Sequence, residues 1–142
     1  MRSRNLLLGT ALAASLPGLA TANAPTGRYF VLNGTVLDMK TNLTWQQAAS
    51  TTKYYGVDRD SACTSLGQGW RMPTIRELVT LVDFSRQGSP KIDPVFAGTQ
   101  SGYYWSSTWI PSPLSALVTL NFDTGVTGWD DLVPSHYVRC VR

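Results

Sequence analysis

The period of apolar and polar positions changes several times along the chain. Between Arg28 and Trp45 it is short and strand-like: Tyr29-Phe30-Val31-Leu32, an Asn33-Gly34 turn, Thr35-Val36-Leu37-Asp38, a polar Lys40-Thr41-Asn42 turn, then Leu43-Thr44-Trp45. Such runs, bounded by turn residues, predict strands, and Asn-Gly is a strong hairpin signal. Residues 46–57 carry no single period: Gln46 to Ala49 suits a helical turn, and Thr51 to Val57 reads as a loop. Asp58 to Leu66 suits a short helix, with acids at its start and Gly67 just past its end. Thr74 and Glu77 have the spacing of a capping box. Ile75, Leu78, Val79 and Val82 follow at i, i+3, i+4 and i+7, which makes one apolar helical face. Residues 85–101 are rich in Gly, Ser, Pro and Gln and read as an irregular connection.

The last third is β in character. Tyr103 to Thr108 is aromatic and strand-like, and Pro111-Ser112-Pro113 forces a loop. Ala116, Val118, Leu120 and Phe122 share one face of a strand by period two. Asp123-Thr124-Gly125 is a hairpin turn, and Val126 to Trp129 starts the return strand. Tyr137 to Val141 is a closing strand with Val138 and Cys140 on one face. Strands, then two helices, then strands give an α+β class: two short helices packed on a mostly antiparallel β-sheet.

Composition changes this picture at the N-terminus. The chain has 142 residues, enough for one domain. Arg2 and Arg4 precede an apolar stretch from Leu6 to Ala14, then Pro17, Gly18 and small residues. That is the order of a secretory signal peptide, and the apolar run is too short to span a bilayer. A cut after Ala20-Thr21-Ala22 fits the small-x-small rule and starts the mature chain at Asn23; a cut after Ala24 would put Pro25 first, a poor substrate. Residues 1–22 are thus read as leader, 23–33 as a lead-in strand and 34–142 as one domain. The formal charge is +3, from 12 basic and 9 acidic residues. Two of those arginines lie in the leader, so the mature chain is near neutral, and nucleic acid is not an expected partner. No membrane span remains after the cut. An exported compartment permits a disulfide between Cys63 and Cys140, tying the first helix to the closing strand; two free buried thiols are the alternative.

Four groups of residues could carry chemistry. The single histidine, His136, has no triad or nucleophile-elbow spacing around it, so catalysis is not expected. Asn121, Asp123, Asp130 and Asp131 offer oxygen ligands; calcium is the cofactor to consider, although solvated turn acids explain them and no cofactor is expected. Of five tryptophans, Trp45 and Trp105 sit in strand patterns and read as core, and Trp70 packs under the capped helix. Trp109 and Trp129 adjoin loop-forming residues and are candidates for stacking on a sugar ring, with Asp130 beside Trp129. Arg71, Arg76, Arg139 and Arg142 could gather at one edge and hold sulfate or carboxylate, with Arg139 the candidate ligand contact; ion pairs with Glu77, Asp83 or Asp58 are the other use.

Four landmarks occur in order: Leu43-Thr44-Trp45-Gln46; Cys63 followed by Gly69-Trp70-Arg71-Met72-Pro73-Thr74-Ile75-Arg76-Glu77-Leu78; Tyr104-Trp105-Ser106-Ser107-Thr108; and Tyr137-Val138-Arg139-Cys140-Val141-Arg142. Together they resemble the C-terminal domain of the Legionella collagen-like protein, over about Gly34 to Arg142. The resemblance implies a C-type-lectin-like fold, in which an early-helix cysteine pairs with one in the last strand. It also implies an extracytoplasmic role in surface attachment, with sulfated polysaccharides as the ligand class. The chain departs from the namesake in lacking a collagen-like stalk and in its near-neutral mature charge.

The expectation is a periplasmic or secreted binding module for glycans or surface polysaccharide. The alternative is a structural or protein-interaction module of the cell envelope. Intact-mass analysis of protein recovered from the periplasm or medium should show loss of residues 1–22; full-length mass in the soluble cytoplasm would refute export.

Overall fold

The computed structural model describes residues 24–111 and 115–142. The leader, Asn23 and the Ser112-Pro113 part of the predicted loop lie outside these. The described residues form eight strands and two helices: β1 Tyr29–Leu32, β2 Thr35–Asp38, β3 Leu43–Gln46, β4 Tyr54–Tyr55, α1 Arg59–Thr64, α2 Ile75–Val79, β5 Tyr103–Ile110, β6 Ala116–Asn121, β7 Val126–Asp130 and β8 Ser135–His136. The class is α+β. The strands divide into three small antiparallel sheets, β1-β2-β3, β4-β8 and β5-β6-β7, where the sequence suggested one.

The first hairpin follows its turn chemistry. Leu32 stands opposite Thr35, and both turn residues have positive φ, Asn33 at 49° and Gly34 at 76°. A two-residue loop of this kind matches the twist of the flanking strands. Arg28, just before β1, donates to Asp38 at the end of β2 through Nη2 at 3.0 Å and Nε at 3.3 Å, and to the Thr80 carbonyl at 2.7 Å. Burial pushes the Asp38 carboxyl up, but hydrogen bonds from Arg28 and the Lys40 amide outweigh it and hold the carboxyl below its ordinary value.

Helix α2 starts where the capping box predicts. The Thr74 hydroxyl accepts from the Glu77 amide, and the Glu77 carboxylate accepts from the Thr74 amide. The helix ends a turn early. The Thr80 hydroxyl donates to the Glu77 carbonyl, and the next amides bond three residues back rather than four. That tighter turn carries Leu81 into the core and leaves Val79 partly exposed, so the apolar face is Leu78 and Leu81 rather than a straight i, i+3, i+4, i+7 stripe. Helix α1 is shorter than predicted, and its Asp58 N-cap makes no side-chain bond to the first turn.

Two apolar clusters fill the interior, one on each face of β6. Val36, Trp45, Leu78, Leu81, Ile92, Phe96, Tyr104, Leu120 and Phe122 belong to the first. Cys63, Met72, Trp105, Leu117, Val138 and Cys140 form the second. Leu117 and Thr119 are as buried as Ala116 and Leu120, so β6 is covered on both sides, not on one.

The C-terminal segment is enclosed over four consecutive residues. Val138, Arg139, Cys140 and Val141 are all buried. The predicted closing strand is instead a series of bridges: Val141 faces Trp45 on one side and Arg71 on the other, and Tyr137 lies parallel to Tyr104. Backbone bonds run from Gln46 N–H to the Cys140 carbonyl, in both directions between Thr44 and Arg142, and in both directions between Arg71 and Val141. Cys63 and Cys140 are joined by a disulfide, 77 residues apart.

Arg139 departs from its expected role. Its side chain is 0% exposed, and its guanidinium donates to the carbonyls of Gln46 and Gln47 and to the Thr99 hydroxyl, each at 2.6 Å. It also lies 5.2 Å from the Phe96 ring centre. Burial lowers its pKa to about 10, which still leaves it charged at neutral pH. The alternation Val138-in, Arg139-out fails because both flanks of this segment are covered, so no side of it meets solvent.

Two variants test this arrangement. Cys63→Ser should lower stability by about 2–5 kcal/mol in denaturant titrations, with one free thiol appearing; two free thiols in the unreduced wild type would contradict the bond. Arg139→Ala should cost at least about 3 kcal/mol, because it leaves two carbonyls and a hydroxyl without donors and opens a void. An unchanged denaturation midpoint would place Arg139 at the surface.

Candidate functional site

The candidate stacking residues sit on the β5-β6-β7 sheet, and register decides where they point. Residues directly opposite one another on paired strands share a face, and neighbours along a strand alternate. Trp109 pairs with Leu117, and Leu117 also pairs with Asp130. Trp129 pairs with Val118. Leu117 and Val118 are consecutive, so Trp109 and Trp129 point from opposite faces of the sheet. They do not form one platform. Trp109 is 49% exposed and Trp129 60%.

The Trp109 face is the chemically richer of the two. Asp130 and Trp109 flank Leu117 from either side, two strand spacings or about 10 Å apart. The Asp130 carboxylate meets His136 Nε2 at 2.8 Å. His136 is held by β8 against β4, and its ring lies 4.5 Å from Trp105 and 5.5 Å from Tyr103. Trp105 is fully buried beneath, its indole N–H donating to the Tyr54 carbonyl at 2.7 Å. Trp109 covers Arg59 of α1, whose guanidinium carbon is 5.5 Å from the ring centre. Arg59 donates to the Gly56 carbonyl and pairs with Asp60 at 3.5 Å. Tyr103, partly exposed, completes the row next to Gly128. His136 is thus a fixed member of an aromatic and charged group rather than a loop residue. Among the described residues, no hydroxyl or thiol is hydrogen-bonded to it.

Sequence reasoning missed what holds this face together. Gly56 packs directly on Leu132: a Cβ there would come within 2.6 Å of the Leu132 backbone, and the Gly56 amide donates to the Leu132 carbonyl at 3.0 Å. This contact lays β4 and the start of α1 against the loop that follows Asp130. The signal available was a lone glycine in a stretch read as loop.

The other candidates disperse. Asp131 accepts from the Val133 amide, Asp123 from the Ser89 hydroxyl, and the Asn121 side chain from the Asp123 amide. With Asp130 on His136, these oxygens do not converge on one point. Among the described residues, no three His, Cys, Asp or Glu side chains are grouped to hold a metal ion. The four candidate arginines do not form one surface cluster, because Arg139 is buried. Arg71 forms a two-pronged pair with Glu77 at 2.7 and 2.8 Å, which holds the Glu77 carboxyl below its ordinary value. Arg142 lies 4.9 Å from the Trp70 ring centre, and Arg139 is enclosed. Of the candidate ligand contacts, Trp109 and Asp130 come together, Trp129 stands on the other face, and Arg139 leaves the surface.

No helix among the described residues is long and apolar enough to cross a membrane. A search of characterised proteins returned no match. The profile of the Lcl C-terminal domain covers residues 34–142, from the turn glycine of the first hairpin through the closing segment, with β1 lying ahead of it. The chain belongs to the Lcl C-terminal domain family.

Proposed function

We propose that the chain is an extracytoplasmic binding module that takes glycan or surface polysaccharide on the face of the β5-β6-β7 sheet bearing Trp109 and Asp130. The observation that carries this is a half-exposed indole fixed on a strand, with a carboxylate–imidazole pair on the same face. An indole packs against the apolar face of a sugar ring, while Asp130, His136 and Tyr103 offer hydrogen-bond partners to its hydroxyls. The scaffold beneath is tied by the disulfide, so these side chains are positioned before a ligand arrives. Trp105 and Leu117 stand buried under the face and stiffen it. A C-type-lectin-like relationship and removal of residues 1–22 belong to the same reading; the disulfide is compatible with export. No calcium ion is required by it. The second reading is a protein-interaction module of the envelope, supported by Trp129 and Val133, which are also exposed.

The two readings part on a glycan array probed at low and high salt. Single-site affinity should be weak, near millimolar or about −4 kcal/mol. Trp109→Ala should weaken binding at least about tenfold, a loss of about 1.4 kcal/mol, while Trp129→Ala on the far face leaves it within about twofold. Binding should depend little on salt, because no free arginine cluster stands behind it. Absence of binding to neutral and sulfated glycans by oxidised, folded protein favours the envelope-protein reading.

A further inference from the structure

The face that bears Trp109 and Asp130 is laid out in rows across β5, β6 and β7. Trp109, Leu117 and Asp130 form one row, Trp105, Thr119 and Gly128 the next, and Tyr103, Asn121 and Val126 the last. The His136 ring packs on Trp105 and Tyr103, and its Nε2 meets Asp130. On β7 the middle row has no side chain, so a notch separates Asp130 from Val126. β7 is the outer strand of its sheet, with β6 as its one partner among the described residues, so the notch lies at the sheet edge.

Nothing in the fold requires glycine at this point. The β6–β7 register runs through it without a bulge, and its φ is not positive. A Cβ there would meet Thr119 Oγ1 at 3.4 Å and Tyr103 Cε1 at 3.7 Å, both ordinary contacts. Glycine inside a strand weakens it; where no bulge or bend accounts for it, it marks a place where another molecule approaches the backbone closely. A second observation lies underneath. Thr119 is fully buried, and its hydroxyl has no hydrogen-bond partner. That hydroxyl is on the Gly128 side, next to the missing side chain. A buried hydroxyl without a partner is costly, and a valine of the same shape would avoid the cost.

We propose that the notch at Gly128 is a second sugar subsite, which takes a hydroxyl or hydroxymethyl group from the unit beyond the one stacked on Trp109. It rests on the reading of this face as a glycan site. With strands about 4.8 Å apart and about 3.4 Å per residue, Gly128 lies diagonally about 12 Å from Trp109. That is farther than one sugar ring reaches, so the ligand is an oligosaccharide of two or more units laid obliquely across the sheet. Gly128 lets it down onto the strand, with Asp130 on one side and the Tyr103 ring on the other. The entering group, with a small shift of the Tyr103 ring, gives the Thr119 hydroxyl the partner it lacks. A site built on a buried hydroxyl rejects ligands that have no polar group at that position.

The test titrates the oxidised protein with glucose, galactose, mannose and N-acetylglucosamine, and with their 1,4-linked oligomers, following amide chemical shifts. The oligomers that bind should do so at least about tenfold more tightly than their monomers. Gly128→Ala should remove that advantage while raising the thermal midpoint by about 2 °C, because the strand gains a better residue. Thr119→Val keeps the shape without the hydroxyl; it should weaken oligomer binding about fivefold or more with no loss of thermal midpoint. A glycine needed only for the fold would lower the midpoint when replaced and leave the oligomer advantage intact, and either result overturns the proposal. Monomers bound as tightly as oligomers overturn it too. If Trp109→Ala abolishes binding while Gly128→Ala and Thr119→Val bind as the wild type does, the glycan reading stands and the subsite falls. If the wild type binds none of these sugars, both fall.

Discussion

The fold depends on placing a charged, hydrogen-bonding segment in its centre. Residues 137–142 lie between β3 and the stretch that leads into α2, bonded by backbone to both. A single strand inserted this way would leave the irregular loops around it without donors. Arg139 supplies them: one guanidinium joins the carbonyls of Gln46, the last residue of β3, and Gln47 to Thr99 in the connection before β5. The planar fork suits this, because its N–H groups diverge at fixed angles and a lysine has no such geometry. The disulfide then fixes the same segment to α1 one residue further on.

With the centre fixed, the β5-β6-β7 sheet is clamped on both faces and the character of its surface follows. Tyr104 and Leu120 face the first cluster, Trp105 and Leu117 the second. Exposed on the outer strands are Tyr103 and Trp109 on β5 and Val126, Thr127 and Trp129 on β7, with Asp130 half-buried. A site built there is shallow and rigid, which suits weak recognition of an extended surface better than enclosure of a small molecule.

Local chemistry was legible in the sequence wherever one short motif decides the outcome. Asn33-Gly34 specifies its turn, and Thr74 with Glu77 specifies the start of α2, because both act within four residues. Trp45 and Trp105 were read as core and are. The pairing of β4 with β8 was not visible, since two-residue strands carry no period. The exposure of Arg139 was misjudged because alternation assumes one solvent face, and its segment has none. The separation of Trp109 from Trp129 depends on the four residues between Asn121 and Val126. A loop one residue longer or shorter would turn Trp129 and Asp130 to the other side. Gly125, at φ 75° beneath the Phe84 ring, holds that loop to its length.

The position of residues 137–142 in the core also sets a timetable. Every other described element is made before this segment, yet both clusters need it: Val141 closes the first, Val138 and Cys140 the second. Until it emerges, β3 and the stretch before α2 lack their shared partner, and Gln46, Gln47 and Thr99 lack their donor. Most of the contacts to be made then are distant in sequence, which slows assembly.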